Sequence, residues 1–342
     1  MRRIVHSISA IIAGITLWGC ETVSPDDQGI RLTEVAESKE ILTVPYEVYG
    51  AGVLVIQVDV GNDQQARFLL DTGATRSALF RRKSGRLKLK DAERMDVTVH
   101  GMTAIGQKPT ALIPQIVIDE RVFENVEVVL LDERKHATVV EAEPDGLIGM
   151  DLLEGYRILV DADAKQLSLI PNQGPAVAVP GSWRNIQLIS NPYTETDHGL
   201  HFFEMRVGNR IVPALFDTGS EFNLINWNSL HFPQLRLIKK RLREQWVVAG
   251  AIGEFDPVSK VTVEGFRVGQ KWWDERLFVV MDFENLGILG VDENPFVIAG
   301  GNLFAGNSFY VDFQKDVLMV RPEEFDNDFI QRRFDGIVVK AE

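Results

Sequence analysis

The sequence predicts a mostly β protein made of two copies of one lobe, with few short helices, and three observations carry that reading. Short alternating or β-branched runs, such as Val53-Leu54-Val55-Ile56-Gln57-Val58-Asp59-Val60 and Gln115-Ile116-Val117-Ile118, are bounded by Gly, Asn, Asp and Pro. Few segments show an apolar period of 3.6, the stretch from Leu235 to Trp246 being the best helical candidate. Most informative is an internal repeat. Gly149-Met150-Asp151-Leu152-Leu153-Glu154-Gly155 aligns with Gly300-Gly301-Asn302-Leu303-Phe304-Ala305-Gly306, and Val160-Asp161, Leu167 and Pro171 then fall on Val311-Asp312, Leu318 and Pro322 without a gap, all at an offset of 151. Phe68-Leu69-Leu70-Asp71-Thr72-Gly73-Ala74 matches Ala214-Leu215-Phe216-Asp217-Thr218-Gly219-Ser220 at 146, and Ala104-Ile105-Gly106 matches Ala251-Ile252-Gly253 at 147.

Composition agrees with a folded chain of this kind. Of 342 residues, 45% are hydrophobic and 25% charged, which excludes disorder, collagen and coiled coil, and the length suits two domains. The net charge of −13 disfavours nucleic acid or an anionic lipid surface as the main partner. One Cys closes no internal disulfide, and the six His include no His-Glu-x-x-His pattern, so neither a metal nor another cofactor is expected.

In chain order, Met1-Arg2-Arg3 is a basic start and Ile4 to Trp18 a mostly apolar run, too short and too interrupted to span a bilayer but suited to a signal-peptide core. With Leu17-Trp18-Gly19-Cys20 it resembles a bacterial lipoprotein signal occupying residues 1–20, in which Cys20 becomes the lipidated first residue; the bulky Trp18 departs from the small residues usual there. That resemblance implies a lipid anchor in a bacterial cell envelope, and Glu21 in the next position resembles the outer-membrane sorting pattern, with the body facing the periplasm; the alternative is an ordinary secretory signal and a secreted or periplasmic chain. Residues 21–40 have few apolar anchors and read as a tether. The first lobe is placed at 41–172, a Pro-, Gly- and Ala-rich linker at 173–182, the second lobe at 183–322 and a C-terminal extension at 323–342, where Ile337-Val338-Val339 could add a strand.

The repeated tripeptide carries the chemistry. One Asp-Thr-Gly in a chain this long has a chance probability on the order of 0.1; two copies, each behind three apolar residues at matching repeat positions, are far rarer. An apolar strand ending in Asp-Thr-Gly projects a carboxylate from a buried platform, Gly lets the backbone approach its neighbour, and the Thr hydroxyl can bond across to the other copy. Two such loops about a pseudo-twofold axis would bring Asp71 and Asp217 together. Like charges roughly 3 Å apart do not both ionise, so the pair shares a proton, one carboxylate serving as base to a water and the other as acid to a carbonyl.

In these residues, from about Val53 to Pro322, the sequence resembles the aspartic peptidases, and with short lobes, no disulfide, Ala74 and Gly149-Met150-Asp151 it looks most like the bacterial retropepsin-like members. The resemblance implies a bilobal acid-protease fold of two β-barrel-like lobes. It implies Asp71 and Asp217 as catalytic residues, with Thr72, Gly73, Ala74, Thr218, Gly219 and Ser220 supporting their loops. Leu147-Ile148-Gly149 and Val297-Ile298-Ala299-Gly300 take the place of the family's apolar-apolar-Gly segment behind each loop. Both half-sites lie in one chain, so no dimer is required. The resemblance also implies flaps: Val97 to Gly106, with Met102, Thr103, Ala104, Ile105 and Gly106 toward substrate, and Val247 to Gly253, with Gly250, Ala251, Ile252 and Gly253; neither carries the Tyr of pepsin-like flaps.

One asymmetry assigns the charge. Ser220 follows the second Asp-Thr-Gly where Ala74 follows the first, and its hydroxyl could donate to an ionised Asp217, leaving the proton on Asp71, although the titration belongs to the pair. Other features have ordinary readings. Gly300-Gly301-Asn302 lacks the Gly-Lys-Ser/Thr of a phosphate loop and packs behind the active loop; Asp161 and Asp312 are turn carboxylates; Arg81-Arg82-Lys83 is a solvated loop; His198 and His201 sit on a loop and strand edge. The leading function is an endopeptidase acting on peptide or protein substrates. The alternatives are a catalytically inactive peptide-binding surface lipoprotein of the same fold and a purely structural lipoprotein; the intact pair of carboxylates argues against both.

Overall fold

The computed structural model describes residues 7–9, 31–32, 41–61, 64–87, 89, 97–132, 143–179, 182–196, 198–207, 210–229, 246–249, 255–269 and 271–321. Within them the chain is mostly β with few short helices. In the first half, Val53–Asp59 pairs antiparallel with Gln65–Leu70, which runs parallel to Gly146–Ile148. Gly146–Ile148 is antiparallel to Ala78–Phe80, which is parallel to Arg121–Leu131. Arg121–Leu131 folds back on Thr110–Ile118, and Val117 meets Asp59, so six strands close into a barrel.

The second half closes in the same order. Phe202–Val207 pairs antiparallel with Arg210–Phe216, which is parallel to Val297–Ala299. Val297–Ala299 is antiparallel to Asn223–Ile225, itself parallel to Lys271–Val280; Lys271–Val280 pairs with Phe255–Val268, which returns to Phe202–Val207. Each barrel therefore has the same two parallel contacts at the same places, which is the structural meaning of the sequence repeat.

Between the barrels, one antiparallel sheet joins the halves in the order Leu42–Tyr49, Gln166–Pro171, Tyr156–Asp161, Phe309–Asp312, Val317–Val320, Arg184–Ile189. Its centre is the pairing of Ile158 with Val311 and Leu159 with Tyr310, hydrogen bonding one half of the repeat to the other. The two outer strands each continue into a barrel, through Tyr46 opposite Ile56 and Leu188 opposite Phe203.

Burial explains why the three residues before each repeated tripeptide are all apolar. Phe68, Leu70, Ala214 and Phe216 face one large cluster that spans both halves, whereas Leu69 and Leu215 face separate clusters on the opposite side of their strands. A strand covered on both faces has no solvent side on which to place a polar residue. Phe216 is held edge-on by Phe304 at 5.2 Å and 90° and by Phe309 at 6.3 Å and 89°.

Several expectations are revised. Arg81–Leu87 is a short helix rather than a solvated loop: Arg81 pairs with Asp132, and Lys83 is buried, its Nζ donating to the Gln65 carbonyl at 2.6 Å and lying 3.3 Å from Asp145. Trp246, the end of the expected helix, begins the strand Trp246–Ala249, and the rest of that stretch lies outside the described residues. Cys20, most of 21–40 and all of 323–342 are likewise outside them; Ser7–Ser9 runs as a short strand parallel to Val247–Ala249, and Arg31–Leu32 pairs with Val177–Ala178 inside the linker. Asp161 and Asp312 do cap turns, accepting from Asp163 and Ala164 and from Lys315.

His201 is fully buried just before Phe202–Val207 instead of lying at an edge, and its ring rests 4.7 Å from that of Phe313 with neither nitrogen hydrogen-bonded. Burial pulls its pKa down to about 4, so it folds neutral. A base whose folded value lies below its unfolded one contributes stability above the unfolded value and loses it as pH falls. Between pH 6.5 and 5 this loss is about 2 kcal/mol. His201→Leu should remove that part of the acid sensitivity, measured as denaturant midpoints across this range; an unchanged slope would show that the imidazole is charged or solvated in the fold.

Candidate active site

The two Asp-Thr-Gly loops meet where the barrels face one another. Each strand stops as its parallel neighbour accepts from the aspartate amide: Asp71 N donates to the Ile148 carbonyl at 3.0 Å, and Asp217 N to that of Ala299 at 3.1 Å. Behind each loop the expected apolar-apolar-Gly segment is in place. Met150 N donates to Ala74 O and Gly301 N to Ser220 O, both at 2.7 Å, so the chain after each parallel strand props up the loop of its own half.

The threonines tie the loops together. Thr72 N donates to Thr218 Oγ1 at 3.2 Å and Thr218 N to Thr72 Oγ1 at 3.0 Å. Each hydroxyl then donates to the carbonyl preceding the opposite aspartate, Thr72 to Phe216 at 2.8 Å and Thr218 to Leu70 at 2.9 Å. These four bonds are buried, where a lost partner costs more than the roughly 1 kcal/mol net value of an ordinary bond. The glycines complete the fit: a Cβ on Gly73 would collide with the Asp217 carboxyl, and one on Gly219 with that of Asp71. Only glycine lets each loop pass beneath the other's acid.

Asp71 and Asp217 are both inaccessible to solvent. Oδ1 of Asp71 accepts from Gly73 N at 3.0 Å, while Oδ1 of Asp217 accepts from both Gly219 N and Ser220 N at 2.9 Å. Oδ2 of each carboxyl accepts from no protein donor, which leaves these oxygens to one another and to whatever enters the site. Two ionised carboxylates have no donor to offer; a single shared proton supplies one.

Burial raises both acids above the ordinary aspartate range, Asp217 to about 7. Burial also dominates the rise of Asp71, reinforced by the charge of Asp217 and by the bond to it. Asp217 is held down by the amides of Ser220 and Gly219 and by the bond from Asp71. The negative charge therefore rests on Asp217 and the proton on Asp71. The agent is the backbone and not, as the sequence suggested, the Ser220 hydroxyl, which donates to the Phe222 carbonyl at 2.8 Å.

Val97–His100 and Ile105–Lys108 form the expected first hairpin, closed by Gly101 N donating to Ala104 O at 2.9 Å. Its tip reaches the other half: Met102 is fully buried in the cluster of Leu200, Leu286 and Leu289, and Asn285 Nδ2 donates to the Met102 carbonyl at 3.1 Å. Thr103, Ala104 and Gly106 are partly buried, and Ile105 points outward, half exposed. Trp246–Ala249 pairs with the start of Phe255–Val268 as a second hairpin. Gly250, Ala251, Ile252 and Gly253 lie outside the described residues.

Sequence reading missed a second pair of supports. Ser77 Oγ accepts from Gly149 N at 3.1 Å, and Asn223 Oδ1 accepts from Gly300 N at 3.1 Å. Ser77 and Asn223 stand at the 146-residue offset already set by the tripeptides (223 − 77 = 146), so the repeat contained the signal although the residue types differ. Asn285 had no such marker. Among the described residues, no group of three or more His, Cys, Asp or Glu is placed to hold a metal ion.

Residues 56–152 match the family model of aspartyl proteases, a span that contains Asp71-Thr72-Gly73 and the Gly149 turn behind it. No curated protein matches the chain. The first barrel is thus aspartyl-protease-like by sequence, and the second shares its strand order.

The burial of the acids has a consequence for stability. A carboxyl whose folded pKa lies above its unfolded one contributes stability at low pH that is lost as pH rises toward the folded value, each tenfold difference in proton affinity being worth about 1.4 kcal/mol. Asp217→Asn should therefore gain stability relative to the natural chain between pH 4 and about 7, the value to which Asp217 is raised. Urea unfolding of both proteins across that interval measures it; a constant difference would mean that Asp217 is not perturbed.

Proposed function

We propose that the chain is an aspartic endopeptidase in which Asp71 and Asp217 act on one water. Asp217, ionised, takes a proton from the water as its oxygen attacks the peptide carbonyl carbon; Asp71 gives its proton to the carbonyl oxygen. The tetrahedral adduct collapses with cleavage of the C–N bond, and the nitrogen leaves with a proton returned through the dyad. No acyl-enzyme forms, and neither acid changes its net protonation over the cycle.

The observation that carries this reading is the reciprocal threonine bonding. It holds two buried carboxyls with unpartnered Oδ2 atoms against one another, an arrangement that costs stability and that a binding role does not require. The match of residues 56–152 to aspartyl proteases supports the same class of hydrolase. Both acids come from one chain, so activity needs no dimer. We further propose that Cys20 carries a lipid, with residues 21–40 tethering the body to the periplasmic face of the outer membrane.

Cleavage of a denatured protein by the purified mature chain tests the first proposal. Asp71→Asn and Asp217→Asn should each lower kcat by at least about three orders of magnitude, in line with loss of an acid or base that acts as a unit with its partner. The natural chain should slow as pH falls from about 7 and Asp217 takes up a proton. Turnover that survives either substitution would refute the dyad. Anchoring is tested separately: the envelope fraction should yield an acyl-modified chain that Cys20→Ala abolishes, and an unmodified natural chain would refute it.

A further inference from the structure

A cleft of about 930 Å³ opens where the chain leaves the first Asp-Thr-Gly loop. Its wall begins at Thr75 and Arg76, directly after Asp71-Thr72-Gly73-Ala74, passes along the hairpin strand Val97–His100, and ends in the second half at Leu286, Ile288 and Leu289. The cleft thus crosses from one half to the other alongside the hairpin whose tip is seated in the second half. An extended chain bound along the first Asp-Thr-Gly loop and this hairpin would lay part of its length here.

The lining has two characters. Phe123 is only partly buried, and Ile288, one of four large apolar side chains left exposed among the described residues, is 45% exposed. An exposed apolar side chain inside a cleft gives an apolar ligand group a surface to pack on. Around them stand the carboxylates of Glu124 and Glu154, neither paired with a cation among the described residues. Arg76 stands on the same wall, but against four carboxylates, Glu124, Glu127, Asp151 and Glu154, so the lining is net acidic. His100, also on the wall, has a buried Nδ1 without a protein partner.

We propose that this cleft selects the substrate segment flanking the scissile bond, and that it takes an apolar side chain adjacent to a lysine or arginine. The apolar side chain packs against Phe123 and Ile288, and the cation lies between Glu124 and Glu154. The net charge of −13 draws the same cationic segments from a distance, with a salt dependence that a purely apolar site would lack. This inference rests on the peptidase reading for its role in turnover, but not for the binding itself.

The test uses three peptides that differ at one position, Leu-Lys, Leu-Gln and Leu-Glu, within four residues of a common cleavage site. The ratio of kcat/KM is measured with the natural chain, and Kd by fluorescence anisotropy with the Asp217→Asn chain. The Lys peptide should have a kcat/KM about three- to tenfold higher, and a Kd lower by about the same factor, than the Glu peptide, as expected for two partly exposed charge pairs. That ratio should shrink in high salt. Glu124→Gln/Glu154→Gln should abolish the preference, and Glu124→Lys/Glu154→Lys should invert it. Cleavage with no preference, or a preference that ignores both double variants, overturns the assignment of the cleft alone. Charge-dependent binding with no cleavage of any peptide upholds the cleft and overturns the peptidase reading.

Discussion

The pair of amide-to-hydroxyl bonds between Thr72 and Thr218 is the constraint on which the rest of the structure depends. Neither loop can shift without unsatisfying a donor in the other, and each hydroxyl is used twice, as acceptor from one amide and donor to one carbonyl. Satisfying four buried polar groups with two side chains is possible only if the loops approach as near-identical copies about a twofold axis. That requirement explains why both barrels keep the same strand order, why both glycines are bare beneath the opposite acid, and why a hydrogen-bonded sheet joins the halves.

Much of this was legible because the chain repeats itself. The tripeptides, their apolar approach strands and the segments behind them share one code in both halves, so position identified function where residue identity alone would have been ambiguous. Ser77 and Asn223 show the limit of the method: a hydroxyl and an amide do the same work by accepting from Gly149 and Gly300, and only the offset relates them. The Ser220 hydroxyl shows the opposite failure. Its chemistry suited the aspartate, but the turn aims its backbone amide there and sends the hydroxyl to Phe222. Side-chain direction depends on backbone path, which composition does not encode. Lys83 was misread for a related reason, since a basic run looks solvated until a carbonyl and a carboxylate are found beneath it.

The titratable interior works in two directions. The dyad is costly when ionised, and His201 is costly when charged, so the interior resists alkaline conditions at one place and acid at another. Their opposed slopes confine the most favourable pH to the interval between acid and neutral. The two sites lie at the same end of a pair of antiparallel strands, with Phe216 N bonded to the His201 carbonyl one residue before Asp217.

The buried tip of the first hairpin bears on occupancy. With Met102 seated in the second half and its carbonyl held by Asn285, the hairpin is tied to both halves. Releasing its tip means drawing a methionine out of an apolar cluster, which costs about 2 kcal/mol. At that cost only a few per cent of molecules stand with the tip released at a given moment, and a ligand that needs it released binds more weakly by the same factor. A chain that had to displace the tip would meet that threshold first.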